Sequence, residues 1–275
     1  MSNLHWFPAY WLYLFCLLAA WVFFAWSKIS WGNAKNVKQG WGVYMSLALV
    51  ALVGSSPLHH AGREYLFLAR MFETLILLYV LPALTLRSVP NILWLTLWQN
   101  PFRRKILFPF LDITWSTVGF NILFFVWHLP AVYNLGLRYD ILDQMHVFGI
   151  WALGFLMWLP LNVRYQPMRL NMPRQMFYLV TLILGQVPLF ALLTFTREPL
   201  YGVYATAARI TPLNALADQQ LSGWTLKVVS SLIFASAFIA IFLEWSRRQR
   251  KQDAEDNALA FENFELVKRA SRRSG

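Results

Sequence analysis

Apolar residues fall in seven long runs along the chain, separated by shorter polar or charged segments. A helix of roughly 20 mostly apolar residues crosses a hydrocarbon core about 30 Å thick, and each run approaches that length. The runs are continuous rather than alternating, which favours helices over the strands of a barrel. The pattern predicts an all-α integral membrane protein with seven transmembrane helices, at residues 9–26, 40–56, 64–86, 110–129, 144–163, 175–196 and 223–245.

The composition supports this class of protein. Hydrophobic residues make up 58% of the 275 residues and charged residues 13%, whereas a soluble domain carries about 25% charged residues. The single cysteine, Cys16, excludes an intrachain disulfide and a thiolate metal cluster. The net charge of +11 lies in blocks between the apolar runs, which favours the lipid bilayer over nucleic acid as the partner of these charges.

The positions of the basic residues predict how the chain is oriented. Most of the 24 Lys and Arg residues follow the first, third, fifth and seventh runs, so that they share one side of the membrane. Cytoplasmic segments carry such an excess, which predicts an outer N-terminus, a cytoplasmic C-terminus and a multi-pass protein of the cytoplasmic membrane. We expect a seven-helix transmembrane domain over residues 1–246 and a cytoplasmic polar tail over residues 247–275, with a surface helix at 258–270.

This orientation, derived from Lys and Arg alone, puts all the histidines on the outer side. His5 precedes the first run, and His59 and His60 separate the second run from the third. His128 ends the fourth run and His146 begins the fifth. The common side indicates a shared role for some of these imidazoles.

The histidines that flank the fourth connection are the best placed to meet. The segment between His128 and His146 is short, so the fourth and fifth helices are expected to be antiparallel neighbours. Pro130 has no backbone donor and restricts the preceding residue, which favours a helix end just after His128. We expect His146 less than one turn into the next helix, where the two rings would lie at similar depth and share a ligand.

Acidic and sulfur side chains accompany these histidines. Imidazole with carboxylate suits divalent first-row metals, and imidazole with thioether suits cuprous copper. An ionisable residue within a span is a candidate for function. The candidate metal ligands are His128, His146, Asp218, Met145, His59, His60 and Glu73.

Each candidate ligand also has a structural interpretation. An interfacial imidazole bonded to a backbone carbonyl accounts for either histidine beside the fourth connection, and an exposed loop accounts for the two adjacent histidines. Met145 fits a packing role, and Asp218 fits a helix cap. Glu73 fits an ion pair with Arg70, which lies three residues earlier on the same helical face.

Several segments together resemble the multi-pass CtaG family. They are WHLPAVYN at residues 127–134, MHVFGIWALGFLMWLPL at 145–161, DQQLSG at 218–223 and ETLILLYVLPALTLRS at 73–88. The resemblance covers roughly residues 64–245. Members of that family are assembly factors for caa-type cytochrome c oxidase, and they are unrelated to the single-pass copper chaperone that shares the name.

The resemblance implies a seven-helix membrane protein that helps to mature a haem–copper oxidase, with oxidase subunits as partners and copper supplied from the outer side. His128 stands at the position of the histidine in the family's WHLP element. His146 stands at the position of a histidine that begins the fifth helix, and Asp218 at that of the DQQ aspartate.

The sequence departs from the family pattern at other positions. The third helix of the family often carries two histidines where this chain has Arg70 and Thr74, and a further histidine where it has Leu142. A guanidinium repels a cation and stays protonated. Tight copper binding at that part of the third helix is therefore not expected.

The leading prediction is an oxidase assembly factor with an open, exchangeable copper site. The alternatives are a copper transporter or permease, a membrane haem protein with His128 and His146 as axial ligands, and a scaffold that holds an oxidase subunit without metal. The sequence has no recognisable nucleophile triad, phosphate loop or pair of catalytic carboxylates, so an enzyme is not expected.

Overall fold

The described part of the chain is built from helices joined by short turns. The computed structural model describes residues 5–31, 40–163 and 168–273. The helices are α1 (Tyr10–Trp31), α2 (Trp41–Val53), α3 (Pro57–Glu64), α4 (Phe67–Leu75), a π-helix (Ile76–Val80), α5 (Leu81–Ser88), α6 (Asn91–Gln99), α7 (Pro101–Leu111), α8 (Ile113–Trp127), α9 (Pro130–Arg138), α10 (Asp140–Asn162), α11 (Met172–Gly185), α12 (Val187–Phe195), α13 (Gly202–Thr206) and α14 (Ala215–Arg273).

Between five and seven helical stretches of the described residues qualify as membrane spans. Five are long and apolar enough by themselves. Two more qualify only if a bent pair counts as one span, α2 with α3 at 48° and α7 with α8 at 68°. The predicted all-helical class is therefore confirmed. The five single spans are Tyr10–Ser27, Phe67–Ser88, Asp140–Asn162, Met172–Phe195 and Ala215–Phe261.

The distribution of side chains fits a lipid environment. Large apolar residues face outwards, and Trp21, Trp115 and Leu232 are each 63–67% exposed. Two charged residues of the span Phe67–Ser88 face inwards instead, since Arg70 and Glu73 are each only 1% exposed. Lipid imposes this arrangement, because apolar side chains are soluble in it while polar groups must find partners inside the protein.

The third predicted span, at 64–86, is not one regular helix. It is divided into α4, the π-helix and α5, and the wide turn coincides with a proline. Pro82 has no N–H to offer to the carbonyl of Leu78, four residues earlier. Gly154 of α10 packs against this freed carbonyl so closely that a Cβ at Gly154 would lie 2.5 Å from the Leu78 oxygen.

The second predicted span, at 40–56, bends before the third begins. Helix α2 ends at Val53, and α3 starts at Pro57 after a sharp turn. Ser56 caps α3 by accepting a hydrogen bond from the backbone N–H of His59, and a proline at the first helical position supports this start. His59 and His60 are consequently buried in a helix rather than exposed in a loop.

The segment between His128 and His146 is mostly helical. Helix α8 ends at Trp127 with His128 as its C-cap, which confirms the end predicted from Pro130. Helix α9 then fills the connection, and α10 begins at Asp140. His146 therefore lies almost two turns into α10, and the expectation of less than one turn was wrong. Carboxylates in the first turn favour the early start, because they interact well with the helix dipole.

The last helix is longer than the seventh apolar run. Helix α14 is continuous from Ala215 to Arg273, about 88 Å at 1.5 Å per residue. It passes through residue 247, where the polar tail was expected to begin, and includes the surface helix expected at 258–270. The sequence after Trp245 contains neither proline nor glycine until the final residue, so nothing local stops the helix.

Candidate functional site

All five histidines lie in one network of contacts at one end of the bundle. The His5 and His60 rings are 3.9 Å apart between centroids. The rings of His128 and His146 both pack on Tyr133, at centroid distances of 6.2 and 5.5 Å. Helix α3, which carries the two adjacent histidines, is tied to α13 by a hydrogen bond. The structure therefore brings these imidazoles into one region of the bundle.

Four ionised side chains form a closed ring at the centre of this region, which we call the ionic ring. The Arg70 guanidinium lies 2.9 Å from Glu73 Oε2 and 2.5 Å from Asp143 Oδ1. His59 contacts the other oxygen of each carboxylate, with Nδ1 2.9 Å from Glu73 Oε1 and Nε2 3.0 Å from Asp143 Oδ2. The four side chains are at most 2% exposed. The ring joins α3, α4 and α10.

The charges of the ionic ring sum to zero. Both nitrogens of His59 lie within 3.0 Å of carboxylate oxygens, which only accept hydrogen bonds, and this environment favours the doubly protonated imidazole although Nδ1 also lies 3.1 Å from Arg70. Arg70 and His59 then carry two positive charges opposite the two carboxylates of Glu73 and Asp143. Such balance is needed, because an uncompensated charge in an apolar interior costs several kcal/mol.

A second arginine, Arg63, contacts the ionic ring from the side of the exposed Asp140. Arg63 lies 3.7 Å from Asp143 Oδ2 through Nη1, and 2.5 Å from Asp140 Oδ1 through Nη2. The Asp140 side chain is 65% exposed. Arg63 thus links the buried Asp143 of the ionic ring to the exposed Asp140.

His128 is fully buried and has one free nitrogen. Its Nδ1 donates to the carbonyl of Phe124 at 2.8 Å, which leaves Nε2 with a lone pair. That Nε2 has no hydrogen-bond partner among the described residues. Burial disfavours a charged imidazole, and no carboxylate pairs with this ring among the described residues, so the neutral form with its lone pair on Nε2 is favoured.

His146 is held in the opposite tautomer. The indole N–H of Trp127 donates to Nδ1 of His146, so the neutral ring carries its proton on Nε2. This Nε2 is also buried without a partner among the described residues. His146 therefore becomes a metal ligand only when it moves its proton and gives up the bond from Trp127.

Three tyrosines surround the histidine pair and fix the backbone near it. Tyr201 donates to the carbonyl of His128 at 2.8 Å. Tyr204 donates to the carbonyl of Gly62 at 2.5 Å and lies 3.3 Å from the Tyr133 hydroxyl. Burial raises the pKa of all three phenols, so they remain protonated donors. They hold α9 and α13 against α3.

Asp218 makes a structural contact in this structure. Its two carboxylate oxygens accept from the backbone N–H groups of Phe67 and Leu68, at 2.8 and 3.0 Å. These are free donors at the start of α4, which helix geometry leaves unpaired. Asp218 thus caps a helix, as the structural interpretation proposed, but the helix is α4 rather than its own.

The other candidate ligands also have different surroundings. Met145 is 46% exposed, on the face of α10 away from the ionic ring. Glu73 and His59 belong to the ionic ring, where the predicted Arg70–Glu73 pair is confirmed. His60 packs on His5 and Tyr65. As the side chains stand, no group of three His, Cys, Asp or Glu among the described residues is arranged to hold a metal ion.

Asp143 is a candidate functional residue that the sequence analysis did not predict. It is not among the candidate ligands predicted from sequence, because its partners Arg70 and His59 come from two other helices. Its spacing of three residues before His146 places it on the same face of α10. That spacing was the only local signal of its inward position.

A family model described as cytochrome c oxidase caa3 assembly factor matches residues 20–248. No curated protein and no solved structure matches significantly.

Proposed function

This chain belongs to the cytochrome c oxidase caa3 assembly factor family, and from that premise we propose that it supports copper delivery to an oxidase at the outer side of the cytoplasmic membrane. Oxidase subunits are the proposed partners, and copper is the cargo. The proposal includes the predicted orientation of seven crossings with an outer N-terminus. His128 and His146 are the proposed ligands of the ion.

One observation carries this choice of ligands. The Nε2 atoms of His128 and His146 are both buried without a partner among the described residues, and both rings pack on Tyr133, whereas Glu73 and Asp143 already lie in ion pairs with Arg70. Buried polar atoms normally find partners, so the unpartnered Nε2 of His128 and that of His146, once its proton moves to Nδ1, support a site for an exchangeable ligand beside Tyr133. Imidazole is a suitable ligand for copper, and a site with so few ligands releases its ion readily.

The nearby ionic ring does not prevent binding of a cuprous ion. Arg70 alone would repel it, but the ring as a whole is neutral. Interactions of a charge with a neutral, closed arrangement decay faster with distance than those with a single charge. The histidine pair is therefore compatible with a singly charged ion, and less so with a tightly held divalent one.

We expect the His128→Ala/His146→Ala variant to lose cuprous binding. The purified protein in detergent is titrated anaerobically with cuprous ion in competition with a coloured chelator. His60→Ala is the matched control, since it also removes a buried imidazole with an unpartnered nitrogen but leaves the pair intact. Equal copper binding by the double variant and the native chain would refute the proposed site.

Trp127→Phe is expected to tighten cuprous binding by about 2- to 10-fold, the equivalent of one net hydrogen bond of 0.5–1.5 kcal/mol. The substitution removes the indole N–H that competes for Nδ1 of His146. Trp151→Phe is the control, because its buried indole N–H has no hydrogen-bond partner in the described chain. Unchanged or weaker binding in Trp127→Phe alone would show that the tautomer of His146 does not limit the site.

A second candidate function is a scaffold that holds an oxidase subunit without metal. The observation that favours it is the ionic ring, whose ion pairs tie three helices together. The two functions differ in cells that depend on this chain for oxidase activity. If the His128→Ala/His146→Ala variant restores as much oxidase activity as the native chain, the scaffold is the correct function.

A further inference from the structure

The guanidinium of Arg70 lies where three potential metal ligands converge. Glu73 Oε2, Asp143 Oδ1 and His59 Nδ1 lie 2.9, 2.5 and 3.1 Å from its terminal nitrogens. The three groups come from α4, α10 and α3, and each is almost completely buried. Arg70 is thus a cation enclosed by two carboxylates and an imidazole.

The groups around Arg70 are a ligand set for a divalent metal. Carboxylate oxygens and imidazole nitrogens bind zinc and similar first-row ions at about 2.0–2.2 Å. Their present distances from the guanidinium nitrogens are longer by only about 1 Å or less. Glu73 and His59 contact one terminal nitrogen and Asp143 the other, so in the absence of the guanidinium side-chain rotations would be needed to bring the three groups onto one ion.

The charge balance favours a divalent ion in particular. In the native ring, the guanidinium and the His59 imidazolium together carry two positive charges against Glu73 and Asp143. A divalent ion with a neutral His59 carries the same two charges. A buried cluster tolerates an exchange that keeps its total charge, because the desolvation of both carboxylates remains compensated.

We propose that Arg70 occupies a divalent-cation site formed by Glu73, Asp143 and His59, so that an internal cation takes the place of a metal ion in this chain. The ionic ring then fixes α3, α4 and α10 without any supply of metal. This cluster is separate from the proposed copper ligands, and the inference does not rest on copper delivery.

The test is metal binding by a variant that lacks the guanidinium. Arg70→Ala is expressed and purified with and without Co²⁺ or Zn²⁺, and its Co²⁺ absorption spectrum and thermal stability are measured in detergent. We expect one Co²⁺ per chain, with an imidazole–carboxylate spectrum, and a higher melting temperature with metal. The native chain is expected to bind no Co²⁺ in the ring and to keep its melting temperature in chelator.

Two further variants test where the metal binds and provide an alternative if Arg70→Ala does not fold. Arg70→Ala/Asp143→Asn removes one ligand of the ring but leaves His128 and His146, and it should lose the Co²⁺ signal; if it keeps the signal, the metal lies elsewhere. Arg70→Gln retains a polar side chain of similar length and serves if Arg70→Ala does not fold. Failure of both single variants to bind Co²⁺, or to recover a folded state with metal, would overturn the proposal. Cuprous binding by the native chain is measured separately, so the two inferences fail independently.

Discussion

Asp143→Ala is expected to lower the free energy of unfolding by about 3–5 kcal/mol, the usual effect of breaking a buried ion pair. The substitution leaves Arg70 and His59 facing only Glu73, so one buried positive charge loses its partner. The measurement is unfolding of the purified protein in mixed detergent micelles, followed by far-UV circular dichroism. We expect a large shift of the transition to lower denaturant.

Asp140→Ala is the matched control for Asp143→Ala. Asp140 lies on the same helix and also contacts an arginine, Arg63, at 2.5 Å, but its side chain is 65% exposed. Exposed ion pairs contribute about 0–1 kcal/mol, so this variant should unfold almost as the native chain does. Comparable effects of the two substitutions would show that the ionic ring does not stabilise the fold.

A double variant separates the loss of the ring from the burial of an unpaired charge. Arg70→Met/Asp143→Leu removes one positive and one negative charge, and it leaves the neutral pair of His59 and Glu73. Replacement of buried ion pairs by apolar residues of similar volume is often neutral. We therefore expect the double variant to be more stable than Asp143→Ala, and stability at or below the single variant would contradict this account of the charges.

The local part of the ionic ring was predictable from sequence, and the long-range part was not. Arg70 and Glu73 lie three residues apart in one helix, and that spacing alone predicts their contact. His59 reaches the same point from the preceding helix α3, across a turn, and Asp143 from α10, 73 residues after Arg70. Periodicity identifies the face of each helix but carries no information about which helix that face meets.

The apolar runs predicted where the spanning helices lie, whereas the irregularities of those helices depend on tertiary contacts. Pro130 predicts the end of α8 through its own stereochemistry. Asp218 has the chemistry of a cap, yet the free donors that it meets belong to α4, across the bundle. The π-helix follows from Pro82 together with the approach of α10, and only the first of these is visible in the sequence.

Gly154→Ala is expected to lower stability by about 1–3 kcal/mol, because added volume in a close-packed interior forces the backbone to shift. A Cβ at Gly154 would lie 2.5 Å from the Leu78 carbonyl oxygen and 2.4 Å from Cγ of Pro82. One neighbour is backbone and the other is a rigid ring, so neither moves easily. The expected result is a lower melting temperature and a displacement of α10 from the π-helix.

Gly136→Ala is the control for this close approach. Gly136 lies within α9 and nothing lies within 4 Å of a Cβ added there. Alanine at an open helical position stabilises by about 0.5–1 kcal/mol relative to glycine, so the two substitutions should change stability in opposite directions. Since α10 carries Asp143 and His146, its displacement in Gly154→Ala should also weaken cuprous binding. An unchanged melting temperature would show that the Leu78 carbonyl and Gly154 do not constrain the distance between these helices.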